Sequence, residues 1–128
     1  MKRLAAVAIA TAALVAAPTA AAKTCIRIQA PATAEVGETV RLVVRVYVPT
    51  WRQNRVVKLK PVATWAGRIE LTVTAPGGAV SRVTTTGAGD GVGIARLALP
   101  RVGRWRFEAV GCEYAPPTCA PPRIVRVG

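Results

Sequence analysis

No histidine occurs anywhere in the 128 residues, and the single methionine is Met1. The commonest general base and the commonest metal ligand are therefore missing. A Met/His copper site has no ligands left once a leader is removed. Acidic residues are scarce as well. Glu35, Glu38, Glu70, Asp90, Glu108 and Glu113 are scattered over turns and outward strand positions, and no two form a close pair suited to acid/base work or a calcium loop. Asp90, in GAGDGVG, lacks the following Lys-Ser/Thr and the helix of a phosphate loop, so it reads as a turn. These absences predict a chain with no catalytic residues, no metal and no cofactor.

Long apolar runs are missing too, apart from Leu4 to Ala17. That run follows Lys2 and Arg3, is broken by Pro18, and precedes the small residues Ala20-Ala21-Ala22. It is short for a membrane span and has the layout of a secretory signal peptide. The expected organisation is a leader over residues 1–22 and one domain over residues 23–128, with no stable membrane span after cleavage. Localisation is then secreted, or in the cell envelope. In a lipoprotein alternative Cys25 becomes the acylated residue, although Lys23 and Thr24 stand where that class carries small apolar residues.

What is abundant is positive charge and alternation. The formal net charge is +12, which favours solubility and attraction to polyanions. The plainer reading is that the arginines line the solvent faces of strands. TVRLVVRVYV sets Val40, Leu42, Val44, Val46 and Val48 on one face, against Arg41, Val43, Arg45 and Tyr47. RIELTVTA sets Ile69, Leu71 and Val73 against Arg68, Glu70, Thr72 and Thr74, and Pro76-Gly77-Gly78 turns the chain into AVSRVTTT. GRWRFEAVG alternates Trp105, Phe107 and Ala109 with Arg104, Arg106 and Glu108. With CIRIQA, GIARLAL and RIVRV this makes seven strands, and an eighth at Val56 to Val62. Period two, β-branched residues and Gly/Pro turns predict an all-β sandwich or barrel.

Two segments resemble bacterial immunoglobulin-like domains: VGETVRLVVRV, and GAGDGVGIARLALPRVGRWRFEAVG. PRVGRWRFEA is similar to the immunoglobulin corner Asp-x-Gly-x-Tyr-x-Cys, with Gly103 at the glycine, Trp105 in place of tyrosine and Phe107 in place of cysteine. The resemblance implies an immunoglobulin-like antiparallel β-sandwich of seven to eight strands. It also implies a core packed by Phe107 where a disulfide usually lies, and no tyrosine-type corner bond at 105. Such sandwiches host many functions, so activity does not follow from the fold.

The best candidate binding surface in the sequence is Arg52, Arg55, Lys58 and Lys60, flanked by Trp51 and Trp65. Arginines beside indoles suit an anionic cell-wall polymer or glycan. The competing expectation is that both tryptophans cap the core. Nucleic acid is set aside because the chain is expected to be exported.

Cys112 and Cys119 have six residues between them and no second Cys or His pair nearby, so neither zinc nor C-x-x-C redox spacing is present. Export makes a disulfide the default. Chain entropy gives about 2.5 kcal/mol for a Cys112–Cys119 bridge and roughly 4.6 kcal/mol for either pairing with Cys25. Proximity and the turn residues Ala115-Pro116-Pro117 favour Cys112–Cys119, with Cys25 as the alternative partner. The expected function is a non-catalytic binding or structural module of the bacterial cell envelope. It would meet an envelope protein through loops 49–67 and 111–120, or an anionic polymer through Arg52 to Lys60. A redox or metal-handling role for the cysteines is the third reading.

Overall fold

The structure, a computed structural model, describes residues 24–112 and 119–128. The expected leader and the loop tip around Tyr114 lie outside the described residues. Ten strands follow in order: β1 (Cys25–Gln29), β2 (Thr33–Ala34), β3 (Thr39–Arg52), β4 (Arg55–Pro61), β5 (Glu70–Thr74), β6 (Val80–Thr84), β7 (Thr86–Gly87), β8 (Val92–Ala98), β9 (Gly103–Ala109) and β10 (Arg123–Val127). No helix occurs among the described residues. The expected seven to eight strands become ten because β2 and β7 are two residues each, too short to leave a period-two signal.

The strands form two sheets of five, an all-β sandwich. Sheet A runs β1-β3-β8-β7, with β4 also paired to β3; sheet B runs β2-β10-β9-β5-β6. Neighbours are antiparallel except β2, which runs parallel to β10. The first stretch of the domain is thus divided, with β1 on sheet A and β2 on sheet B.

Alternation decides which residues meet between the sheets, because successive side chains of a strand point to opposite faces. Sheet A contributes Ile26, Val40, Leu42, Val44 and Val46; sheet B contributes Leu71, Val73, Trp105, Phe107, Val125 and Val127. Phe107 is fully buried, so apolar packing fills the position as expected, stabilising by about 1.5–3 kcal/mol for a side chain of this size. Gly93 stands opposite Val44, and a Cβ there would lie 2.2 Å from the Gly67 carbonyl oxygen. Only glycine lets the 66–69 segment close over β8.

The chain crosses from sheet B to sheet A at Thr85, between β6 and β7. Thr85 is 1% exposed, and its hydroxyl is satisfied twice. Oγ1 donates to the Gly67 carbonyl at 2.7 Å and accepts from the Ile69 amide at 2.9 Å. The segment leading to β5 is thereby tied to the crossing, and the two hydrogen bonds offset the cost of burying the hydroxyl.

One expectation is extended and one corrected. No tyrosine-type hydroxyl bond forms at position 105, but the Trp105 indole N–H donates to the Arg101 carbonyl at 2.9 Å. An indole reaches upstream as a tyrosine hydroxyl does in antibody domains. The disulfide joins Cys25 to Cys119, not Cys112 to Cys119. The physical reason is register. Residue 119 runs beside the outer edge of β1, where the Ile26 amide donates to the Cys119 carbonyl at 3.1 Å. Cys112 instead turns into the core at the end of β9, with its amide bonded to Ala109. The bridge clasps β1 of sheet A to the lead-in of β10 in sheet B.

Candidate anion-binding face and hairpin arm

β3 is 14 residues long, and its neighbours do not cover it evenly. β8 pairs with residues 39–45 and β1 with residues 43–47. Beyond Tyr47 only β4 remains, so residues 48–60 form a two-stranded arm. The expected eighth strand at Val56 to Val62 is the return strand β4 of this hairpin. Its tip is Arg52-Gln53-Asn54-Arg55, with Gln53 at φ 53° and Asn54 at φ 65°. Two consecutive left-handed residues are the signature of a type I′ turn, which matches the strand twist. Lys58, Lys60, Pro49 and Pro61 stand on the arm's strands, and such residues discourage pairing with a further strand.

The arm's register contains one irregularity. Trp51 pairs with Val56 and Thr50 with Lys58, leaving Val57 as an inserted bulge residue. Residues opposite each other across an antiparallel pair share a face. One face therefore carries Tyr47, Pro49 and Trp51 against Pro61, Leu59 and Val56. The other carries Val48, Thr50 and Arg52 against Lys60, Lys58 and Arg55. The bulge sorts the arm, with all four cations on one face and an apolar ladder on the other. Trp51 is 46% exposed.

The four predicted cations are thus brought together, while the two tryptophans are not. Trp51 lies on the opposite face of the arm and does not cap the core, because the arm leaves the sandwich before reaching it. Trp65, after β4, packs against the core cluster as the competing expectation had it.

Sequence reasoning missed a second basic surface. On the outer face of sheet A, Arg27 stands directly opposite Arg45, and Arg41 directly opposite Arg96. At the arm tip Arg52 faces Arg55. The Arg45 guanidinium donates to Gln29 at 3.1 Å. The strands of sheet A hold eight Lys and Arg and no Asp or Glu. Sheet B also sets Arg104 opposite Arg126, but its outer face holds the ion pairs Arg82–Glu70 at 3.3 Å and Arg106–Glu108 at 3.4 Å. The alternating arginines of CIRIQ and VRLVVRV were visible in the sequence. That they face one another depends on pairing between strands far apart in the chain.

A groove of about 520 Å³ opens where the arm leaves sheet A, lined by Arg27, Gln29, Tyr47, Leu59, Pro121, Pro122 and Arg123 among others. Arg123 donates through Nη2 to the Ala30 carbonyl. Its Nε is buried and has no hydrogen-bond partner among the described residues. Among the described residues no group of three Cys, Asp or Glu is gathered to hold a metal ion. No protein-family model matches the chain, and no curated protein matches it significantly.

Proposed function

We propose that this chain is an exported, non-catalytic, immunoglobulin-like binding module of the bacterial cell envelope, and that its ligand is polyanionic. Immunoglobulin-like topology is supported by the divided first strand, the parallel β2–β10 pair and the Trp105–Arg101 corner bond. Export is supported by the leader-like N-terminal sequence and by the disulfide, which oxidising compartments maintain.

One observation carries the ligand. Like charges directly opposite in a sheet are destabilising, yet the outer face of sheet A sets two arginine pairs opposite each other, Arg27–Arg45 and Arg41–Arg96, and no strand of that sheet holds a carboxylate. An anion bound across these guanidiniums removes that repulsion, and arginine forks suit phosphate or carboxylate. An anionic cell-wall polymer supplies such groups in series.

The test separates the face from bulk charge. Arg41→Glu with Arg96→Glu is compared with Arg101→Glu and Arg126→Glu, two exposed residues on the sheet B side that do not face each other, which changes the net charge equally. Retention on a soluble polyphosphate or teichoic-acid matrix should fall about tenfold in the first variant and far less in the second. Equal losses, or no retention of the wild type at low salt, reject the reading.

A further inference from the structure

The arm is divided in a way that a purely electrostatic binder does not require. Its cations lie on one face, and Pro49, Trp51, Val56 and Leu59 form a ladder on the other, outside the sandwich core. Trp51 and the bulge residue Val57 are 46% and 55% exposed. An isolated two-stranded ribbon is marginal in water, and an exposed Trp51 beside half-buried Pro49, Val56 and Leu59 leaves apolar surface on it for an occupant. A second copy of the arm is a poor candidate, since each arm brings four cations and no carboxylate. A partner strand is discouraged by the prolines and lysines along the ribbon.

The remaining chemistry is an anionic surface with an apolar layer beneath it. We infer that the arm is an interfacial anchor, laying Trp51, Val56 and Leu59 into the headgroup boundary of an anionic lipid bilayer. The physical form is that of an amphipathic interfacial segment, with Lys and Arg on the polar face and Trp and aliphatic residues on the other. Lys58 and Lys60 reach headgroups by extending their stems along the ribbon.

Two further features fit. By alternation along β3, the apolar ladder (Tyr47, Pro49, Trp51) lies on the same side of the strand as Arg41 and Arg45, so one flat surface meets both. The groove at the arm's base combines Arg27 and Arg123 with the apolar walls of Leu59, Pro121 and Pro122. The inference rests on the reading of sheet A as the anion-facing side, but adds a lipid requirement that polymer binding lacks.

Full-length processed protein is sedimented with vesicles of phosphatidylglycerol and phosphatidylcholine, and with vesicles of phosphatidylcholine alone. The wild type should partition to the anionic vesicles. Trp51→Ser with Leu59→Ser, which keeps every charge and alters no core residue, should weaken vesicle binding about tenfold or more. The same variant should keep its retention on polyphosphate. Wild-type protein that is retained on polyphosphate but ignores the vesicles overturns the anchor and leaves the polyanion reading standing. So does a variant that binds vesicles as well as wild type. Failure of the wild type on both matrices overturns the two together.

Discussion

Cys25 is bonded to Cys119 across a sequence separation of 94, with their Cα atoms 4.6 Å apart. The bridge closes nearly the whole domain into one loop, and a loop of that length loses the most entropy in the unfolded chain. Replacing both cysteines by serine should lower stability by about 2–5 kcal/mol, the range for removing a native disulfide from a small domain. Urea unfolding with and without reductant measures this. Cys112 is 4% exposed, so a thiol reagent should label one cysteine per chain in denaturant and almost none in the native protein. Rapid labelling of native protein would contradict its burial.

Thr85 is the polar staple where the chain changes sheets. Thr85→Val keeps the shape and deletes the hydroxyl, leaving the Gly67 carbonyl and the Ile69 amide without that partner. The expected loss is about 1–3 kcal/mol, the penalty for buried groups left unsatisfied. A midpoint of unfolding unchanged from wild type would show that water takes over the bonds.

Trp105 bonds to the Arg101 carbonyl through its indole N–H. Trp105→Phe removes that donor and some volume, and should cost about 1–3 kcal/mol. Trp105→Tyr offers a hydroxyl in its place and should recover part of the loss. If phenylalanine and tyrosine variants unfold at the same denaturant concentration, the bond contributes nothing and packing alone matters.

The arm turn holds Gln53 and Asn54 in the left-handed region, which suits asparagine and glycine better than glutamine. Gln53→Asn with Asn54→Gly should tighten the hairpin by a few tenths of a kcal/mol to about 1 kcal/mol. Amide hydrogen exchange along residues 48–60 should slow, while exchange in the core strands should stay the same. Faster exchange in the arm would mean that the turn is not type I′.

Much of the fold was legible because strand periodicity is a local property. The alternation of residues 39–48 and 103–109 named Val40, Leu42, Val44, Trp105 and Phe107 as inward, and each is buried. Val48 was also placed inward, yet it is 48% exposed. The alternation continues there, but the sandwich beneath it has ended.

The candidate site was half legible. The cluster Arg52, Arg55, Lys58 and Lys60 stands out as a run of charge without carboxylates. Simple alternation over residues 55–61, however, puts Arg55 on the face of Leu59 and away from Lys58 and Lys60. The bulge at Val57 reverses this. A one-residue shift in register moves every following side chain to the other face, and no local pattern announces it.

The sequence by itself determined which residues can be strands, which faces are apolar, and that histidine chemistry is absent, since composition and period two need no partner. Tertiary structure alone decided that Cys119 reaches back to Cys25, that Arg27 meets Arg45 and Arg41 meets Arg96, and that the arm is sorted into two faces. Each of these depends on which distant strands lie side by side and in what register. That choice is made by the collective packing of the two sheets and not by neighbours in the chain.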